Sequence, residues 1–251
     1  MGLLKQLSAI VLGHLLASAA SAEQIHAAVA ANFLAPFKEV VNRFEHISGH
    51  RVIVSSGSSG KIFAQIQNGA PFQVFLSADQ AKPEALEKAG LAAPGSRFTY
   101  ATGTLVLWST RPGFVDEDFT RLKNRDFNKL ALANPRLAPY GAAAVEVLEN
   151  LKLEDATRAK WVQGESIAQT YQFVASGNAD LGFVALSQIM NRRHIREGSS
   201  SVIPDKLYSP IRQDAVLLKS GKDNSSAKAL LNYLRSEEAR GIILAHGYKI
   251  E

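Results

Sequence analysis

An α/β fold in two lobes is the prediction from sequence, and three observations lead to it. Apolar runs of strand length alternate with helix-period segments almost from the start. Helical segments stop at Gly49, Gly69, Gly90 and Gly177, the residue type that most readily takes the left-handed turn closing a helix. No low-complexity linker or fixed-period repeat divides the chain. Such alternation implies parallel strands joined by helical crossovers, hence sheets covered on both faces.

The first 22 of the 251 residues stand apart from that pattern. Lys5 provides a positive start, "LSAIVLGHLLASAA" an apolar run too short to span a bilayer, and Ala20-Ser21-Ala22 a small-residue cleavage site, so residues 1–22 are expected to be a signal peptide. Export to a bacterial periplasm follows. After it, "IHAAVA" predicts a strand, and Leu34, Phe37, Val41 and Phe44 share one face of a helix with Pro36 in its first turn. "RVIVSS" is a second strand and "KIFAQIQNG" the helix after it. "QVFLSA" is a third strand, and "PEALEKAG" a short helix. A second set begins at "TLVLWS", with "KLALAN" and "DLGFVA" as further strands and "PYGAAAVEVLENL", "SIAQTYQFVASG" and "SQIMNRRH" as helices. "DAVLLKS" and one long helix, "SAKALLNYLRSEEARGIILAHG", end the chain. Lobe I then comprises residues 23–103 plus 210–251 and lobe II residues 104–209, joined by crossing strands.

Composition narrows the function. The formal net charge of +5 falls to +4 without Lys5, and the cations are spread rather than striped; "NRRHIR", the densest run, reads as a solvated helix end rather than a nucleic-acid patch. There is no Cys, which excludes disulfides, thiolate metal sites and Cys nucleophiles. His26, His46, His50, His194 and His246 make no metal-ligand pattern on a helix: the one pair four residues apart, His46 and His50, straddles the helix stop at Gly49. No Gly-x-Ser-x-Gly elbow is present. Asp79, in "SADQ", is the best-placed carboxylate because it ends a strand at the cleft edge, although a helix N-cap explains it better.

The candidate chemistry lies instead at helix starts. "VSSGSSGKIFAQI", residues 54 to 66, runs from a strand through a Ser/Gly cluster into a helix. It is not a phosphate-cradling P-loop, because Ser55 stands where Gly is needed and Ile62 follows Lys61 where Ser or Thr would hold magnesium. What remains is a set of exposed backbone N–H groups at the positive end of a helix dipole. Capping alone accounts for serines at such a place. Similar passages occur at Ala31-Asn32-Phe33, Pro139-Tyr140-Gly141 and Glu165-Ser166-Ile167, two in each lobe. Four of them converging on one cleft would make an oxyanion site, since ligands of open parallel sheets bind beyond the carboxyl ends of the strands.

The run "VSSGSSGKIFAQIQNGAPFQVFLSADQ" resembles the periplasmic molybdate-binding proteins that serve a molybdate ABC transporter, and "AVAANF", "NPRLAPYGAAAVEVL" and "GNADLGFVA" follow in that family's order. The likeness covers nearly all of the chain after residue 22. It implies two Rossmann-like lobes of the type II periplasmic-binding-protein architecture, with a hinge of crossing strands. It also implies a monomeric, non-enzymatic receptor without a cofactor or resident metal ion, which holds molybdate or tungstate through hydrogen bonds alone and passes it to a permease. By position the contacts fall on Asn32, Ser59, Tyr140 and Ile167, with Asn32 and Ser59 able to use side chain and backbone and the other two backbone N–H only. Some members have Ser in place of Asn32, and some have a ligand-reaching Tyr where this chain has Ala185. A second donor from the Asn32 amide is expected to replace that Tyr. The alternatives are a receptor for another oxyanion such as sulfate, a secreted phosphoester-acting enzyme using Asp79 or a histidine, and a nucleic-acid binder suggested only by the basic pI.

Overall fold

Two five-stranded sheets, each sandwiched between helices, make up the two lobes of the computed structural model, which describes residues 23–191, 194–195 and 197–250. The predicted signal segment, and Arg192, Arg193 and Arg196 of "NRRHIR", lie outside the described residues. The first lobe contains β1 (Gln24–Ala30), a 3₁₀ turn (Ala31–Phe33), α1 (Leu34–Ser48), β2 (Arg51–Gly57), α2 (Ser59–Gln67), β3 (Val74–Leu76), α3 (Ala81–Lys88) and β4 (Phe98–Gly103). The second begins with β5 (Leu105–Ser109), α4 (Thr120–Asn124), β6 (Leu130–Ala133), α5 (Pro139–Asn150), α6 (Glu154–Arg158) and β7 (Trp161–Gly164). It continues with α7 (Ile167–Ala175), β8 (Leu181–Ala185), α8 (Leu186–Ile189), the small pair β9 (Met190–Asn191) and β10 (His194–Ile195), and β11 (Ser199–Val202). The chain then returns through β12 (Ile211–Leu217), α9 (Ser225–Leu234) and α10 (Glu237–Ala245) to the first lobe.

The strand orders are β2-β1-β3-β12-β4 and β11-β5-β8-β6-β7. Strands covered on both faces carry apolar residues on both, as the central positions of these strands do. Along β1, Ala27 and Val29 pack with Phe37, Val40, Leu230 and Ile243, while Ala28, facing the other way, packs with Ile62, Phe75 and Leu86. In the second sheet Leu105, Leu107 and Phe183 face α5, and Val106, Trp108 and Val184 face α7. The α/β, two-lobe class read from the alternation is the class observed.

Parallel pairing holds for β1, β2 and β3 and for β6, β7 and β8. It fails at the crossings. β5 leaves β4 after the single residue Thr104 and runs antiparallel to β8, and β12 runs antiparallel to β3 and β4. The reason is geometric: the parallel strands end at the cleft, whereas a strand arriving from the other lobe enters its sheet there, so Leu105 pairs with Ala185 at the end of β8.

Several helix stops are as expected: Gly49, Gly69, Gly90 and Gly177 all have positive φ, between 68° and 85°. Other expectations need correction. The third strand shrinks to Val74–Leu76, and Phe98–Gly103 is a strand that periodicity did not mark. The long C-terminal helix is two helices, because Ser236 caps α10 by accepting from the Ala239 N–H at 3.3 Å, and Glu237 and Glu238 fill the first turn. The helix expected over "SQIMNRRH" keeps only Leu186–Ile189; the chain then turns into the β9–β10 pair. Tertiary bonds hold that single turn: Ser187 Oγ donates to the Asn32 carbonyl (2.9 Å) and Gln188 Nε2 to the Ile167 carbonyl (3.0 Å).

Candidate functional site

Each of the four passages singled out in the sequence follows the carboxyl end of a parallel strand. The Ala31–Phe33 turn follows β1, α2 follows β2, and α5 and α7 follow β6 and β7. Residues in the first turn of a helix have N–H groups with no carbonyl behind them in the helix, so each passage offers unpaired donors and the positive end of a dipole. The fold brings the four together. Asn32, Ser58, Ser59, Tyr140 and Ile167 line one cavity between the lobes, closed with alanines and Pro139 to about 10 Å³, the scale of a single small species and far below that of an organic substrate. None of the residues lining it carries a formal charge.

The side chains show what each position can contribute. Ser59 Oγ accepts the Ala78 N–H at 2.9 Å, which leaves its own proton to donate. Tyr140 turns its ring away from the cavity, toward the hinge strands. Its hydroxyl accepts from Gln213 Nε2 at 3.4 Å and lies against Gly103, where a Cβ would come within 2.0 Å of it. Only glycine at 103 admits that ring. Ile167 packs its side chain into the apolar core of the second lobe. Tyr140 and Ile167 are therefore left with backbone N–H groups.

Asn32 departs from expectation. Its amide nitrogen donates to Gln213 Oε1 (2.8 Å) and to the Tyr248 hydroxyl (3.0 Å), so both amide protons are engaged inside the protein and neither replaces the missing tyrosine. Ala185, at that tyrosine's position, is fully buried at the end of β8, its N–H bonded to Gln188 Oε1 at 2.9 Å. The Asn32 amide instead anchors a buried polar network. Tyr248 Oη lies 2.8 Å from the Asn32 carbonyl and 3.0 Å from Ser187 Oγ, and Tyr100 Oη lies 2.9 Å from Gln213 Oε1. Burial pushes the Tyr100, Tyr140 and Tyr248 hydroxyls above their ordinary pKa. They remain neutral and keep their protons for hydrogen bonding. No local pattern predicts this network, because the partners of Asn32 lie 181 and 216 residues away in sequence.

Several of these bonds tie one lobe to the other. The Gly60 N–H donates to the Leu137 carbonyl at 2.8 Å, and a Cβ on Gly60 would sit 3.0 Å from the Leu137 backbone. Ser187 and Tyr248 bridge α8 of the second lobe to Asn32 of the first. Outside the cavity, the exposed pair Lys61–Glu165 spans the cleft at 3.8 Å. A wider groove of about 930 Å³ adjoins it, lined among others by Lys38, Lys61, Gln169 and His246.

The competing catalytic candidates are engaged structurally. Asp79 lies one residue before Gln80, the N-cap of α3; its Oδ1 accepts the Lys82 N–H of the first turn at 3.1 Å, and its carboxylate pairs with Lys82 Nζ. His50 Nε2 lies 3.1 Å from Ser226 Oγ, and His246 Nε2 lies 3.1 Å from Glu39. Among the described residues no helix is long and apolar enough to cross a membrane.

Comparison with known proteins gives concordant findings. The family model for bacterial extracellular solute-binding proteins matches residues 25–249. The molybdate-binding protein ModA of Azotobacter vinelandii is 55% identical over 237 residues, 94% of each chain. ModA of Rhodobacter capsulatus is 48% identical over 243 residues, 97% of this chain and 94% of that one. A solved periplasmic molybdate-binding protein of Azotobacter vinelandii superimposes with a TM-score of 0.88 at 43% identity, covering 90% of this chain and 99% of the other.

Proposed function

The chain belongs to the bacterial extracellular solute-binding protein family, and from that premise we propose that it captures molybdate in the periplasm and delivers it to an ABC permease. It is a transport receptor, not an enzyme. The observation that carries this reading is the convergence of four strand-to-helix passages on one small cavity between the lobes lined by no charged side chain. The molybdate-binding relatives, similar over nearly their whole length, support it.

In the proposed complex the intact dianion accepts hydrogen bonds from the backbone N–H groups of Asn32, Ser59, Tyr140 and Ile167 and from the Ser59 hydroxyl. Each bond to a charged acceptor contributes about 1.5 to 3 kcal/mol. Against their sum stand dehydration of the dianion and the ordering of two lobes. Sulfate has the same charge, so discrimination rests on size: donors spaced for longer metal–oxygen bonds lose contact with a smaller ion, and stretched hydrogen bonds weaken steeply. Tungstate, of nearly molybdate's size, is accepted on this account. With donors alone at the site, a fully deprotonated ion is preferred over a protonated phosphate. The signal segment is removed on export, and the receptor acts as a monomer. Closure about the two interlobe crossings forms the Gly60–Leu137 bond over the trapped ion.

Isothermal titration of the chain lacking residues 1–22 tests the proposal. Submicromolar binding of molybdate with sulfate at least a hundredfold weaker is expected. Micromolar or weaker molybdate binding, matched by sulfate, overturns it.

A further inference from the structure

Ser58 precedes the first residue of α2 and lines the same cavity as Ser59, yet neither the helix-start pattern nor the family resemblance marks it. A serine at that position ordinarily accepts a backbone N–H of the first helical turn through its hydroxyl. Here it does not: the Ser58 side chain makes no capping bond. The residue is 3% exposed, and among the described residues Oγ is buried with no hydrogen-bond partner. A hydroxyl in that state is costly, and native proteins rarely leave one so unless something else completes it. The other side-chain atoms sharing this condition, on His50, Trp108, Tyr233 and His246, belong to residues that do not line the cavity. The unpaired donor therefore coincides with the anion site.

Resting on the molybdate reading above, we propose that Ser58 Oγ is a further direct donor to the bound oxyanion, supplying the side-chain contact that Ala185 cannot make and that the Asn32 amide is not free to make. The two serines divide their roles. Ser59 Oγ is held in place by the Ala78 N–H and keeps its own proton to donate. Ser58 Oγ has no such brace and turns its proton toward the ligand when the ligand is present. Ser58 also borders the wider groove, so its hydroxyl stands where the cavity meets the route inward.

The experiment is titration of molybdate and sulfate into the chain lacking residues 1–22 and into its Ser58→Ala variant, with the melting temperature of each measured without ligand. The expected result is molybdate affinity at least tenfold weaker in the variant, with a ligand-free melting temperature unchanged or slightly raised, because a buried unpaired hydroxyl has been removed. An affinity within twofold of the original overturns the inference and assigns the hydroxyl to a water molecule from the groove. Weaker binding accompanied by a melting temperature several degrees lower also overturns it, by making Ser58 a structural residue. If the unsubstituted protein itself fails to bind molybdate, the functional reading falls and this inference falls with it; if only the variant behaves as the original does, the functional reading stands.

Discussion

Asp214 is a buried negative charge answered by a full cation, whereas the interlobe cavity, where the proposed anion would sit, is lined by none. The Asp214 side chain is completely buried on β12. Arg97 Nη1 donates to its Oδ2 at 2.7 Å, Thr99 Oγ1 to its Oδ1 at 2.7 Å, and Gln80 Nε2 to Oδ1 at 3.2 Å. Hydrogen bonds to Glu87 and Asp214 raise the Arg97 pKa further. In the cavity the donors are the N–H groups and hydroxyls of helix starts. The difference follows from residence. A permanent carboxylate must be neutralised for the lifetime of the fold, whereas a cargo anion must leave, and a buried guanidinium without its anion would be an uncompensated charge in the empty receptor. Neutral donors cost less to leave solvated when the lobes part.

That contrast can be broken at either end. The largest expected effect is Arg97→Met, which leaves Asp214 buried without its cation and lowers stability by about 3 kcal/mol or more in denaturant unfolding, with molybdate affinity little changed while the protein remains folded. Ser59→Ala acts at the other region. Losing one hydroxyl bond to the dianion weakens molybdate roughly ten- to a hundredfold by titration calorimetry, with a small stability loss from the unpaired Ala78 N–H. A smaller effect is expected with pH. Tyr100, Tyr140 and Tyr248 are raised above the ordinary value of 10 by burial, so the folded state keeps protons that the unfolded chain releases. Their contribution is fully present below about pH 10 and is lost as pH rises beyond it, so the melting temperature should hold level up to that point and then fall. The smallest effect is at Lys61→Gln: its pair with Glu165 is exposed and 3.8 Å long, so equilibrium affinity should stay within about twofold, with any change confined to the salt dependence of the association rate.

Much of the site was legible because its signals are local. Strand, small residues and then a helix recur at Asn32, Ser59, Tyr140 and Ile167, and the structure lines one cavity with all four. The break of the C-terminal helix was missed, although Ser236-Glu237-Glu238 carries a local capping signal, because the apolar period continues on either side of it. The antiparallel course of β5 and β12 was not legible, since strand direction depends on which lobe the chain has come from. Nor was the withdrawal of the Asn32 amide into the hinge, which depends on Gln213 and Tyr248.

By itself the sequence determined where most strands and helices begin, which glycines close helices, which faces are apolar, and that several helix starts are built of small and capping residues. These are properties of neighbouring residues, set by backbone sterics, capping and burial. Only the tertiary structure decided which donors face the cavity and which are used up within the protein. A hydroxyl or amide has few protons to give, and whether a distant residue takes them is settled when the lobes pack.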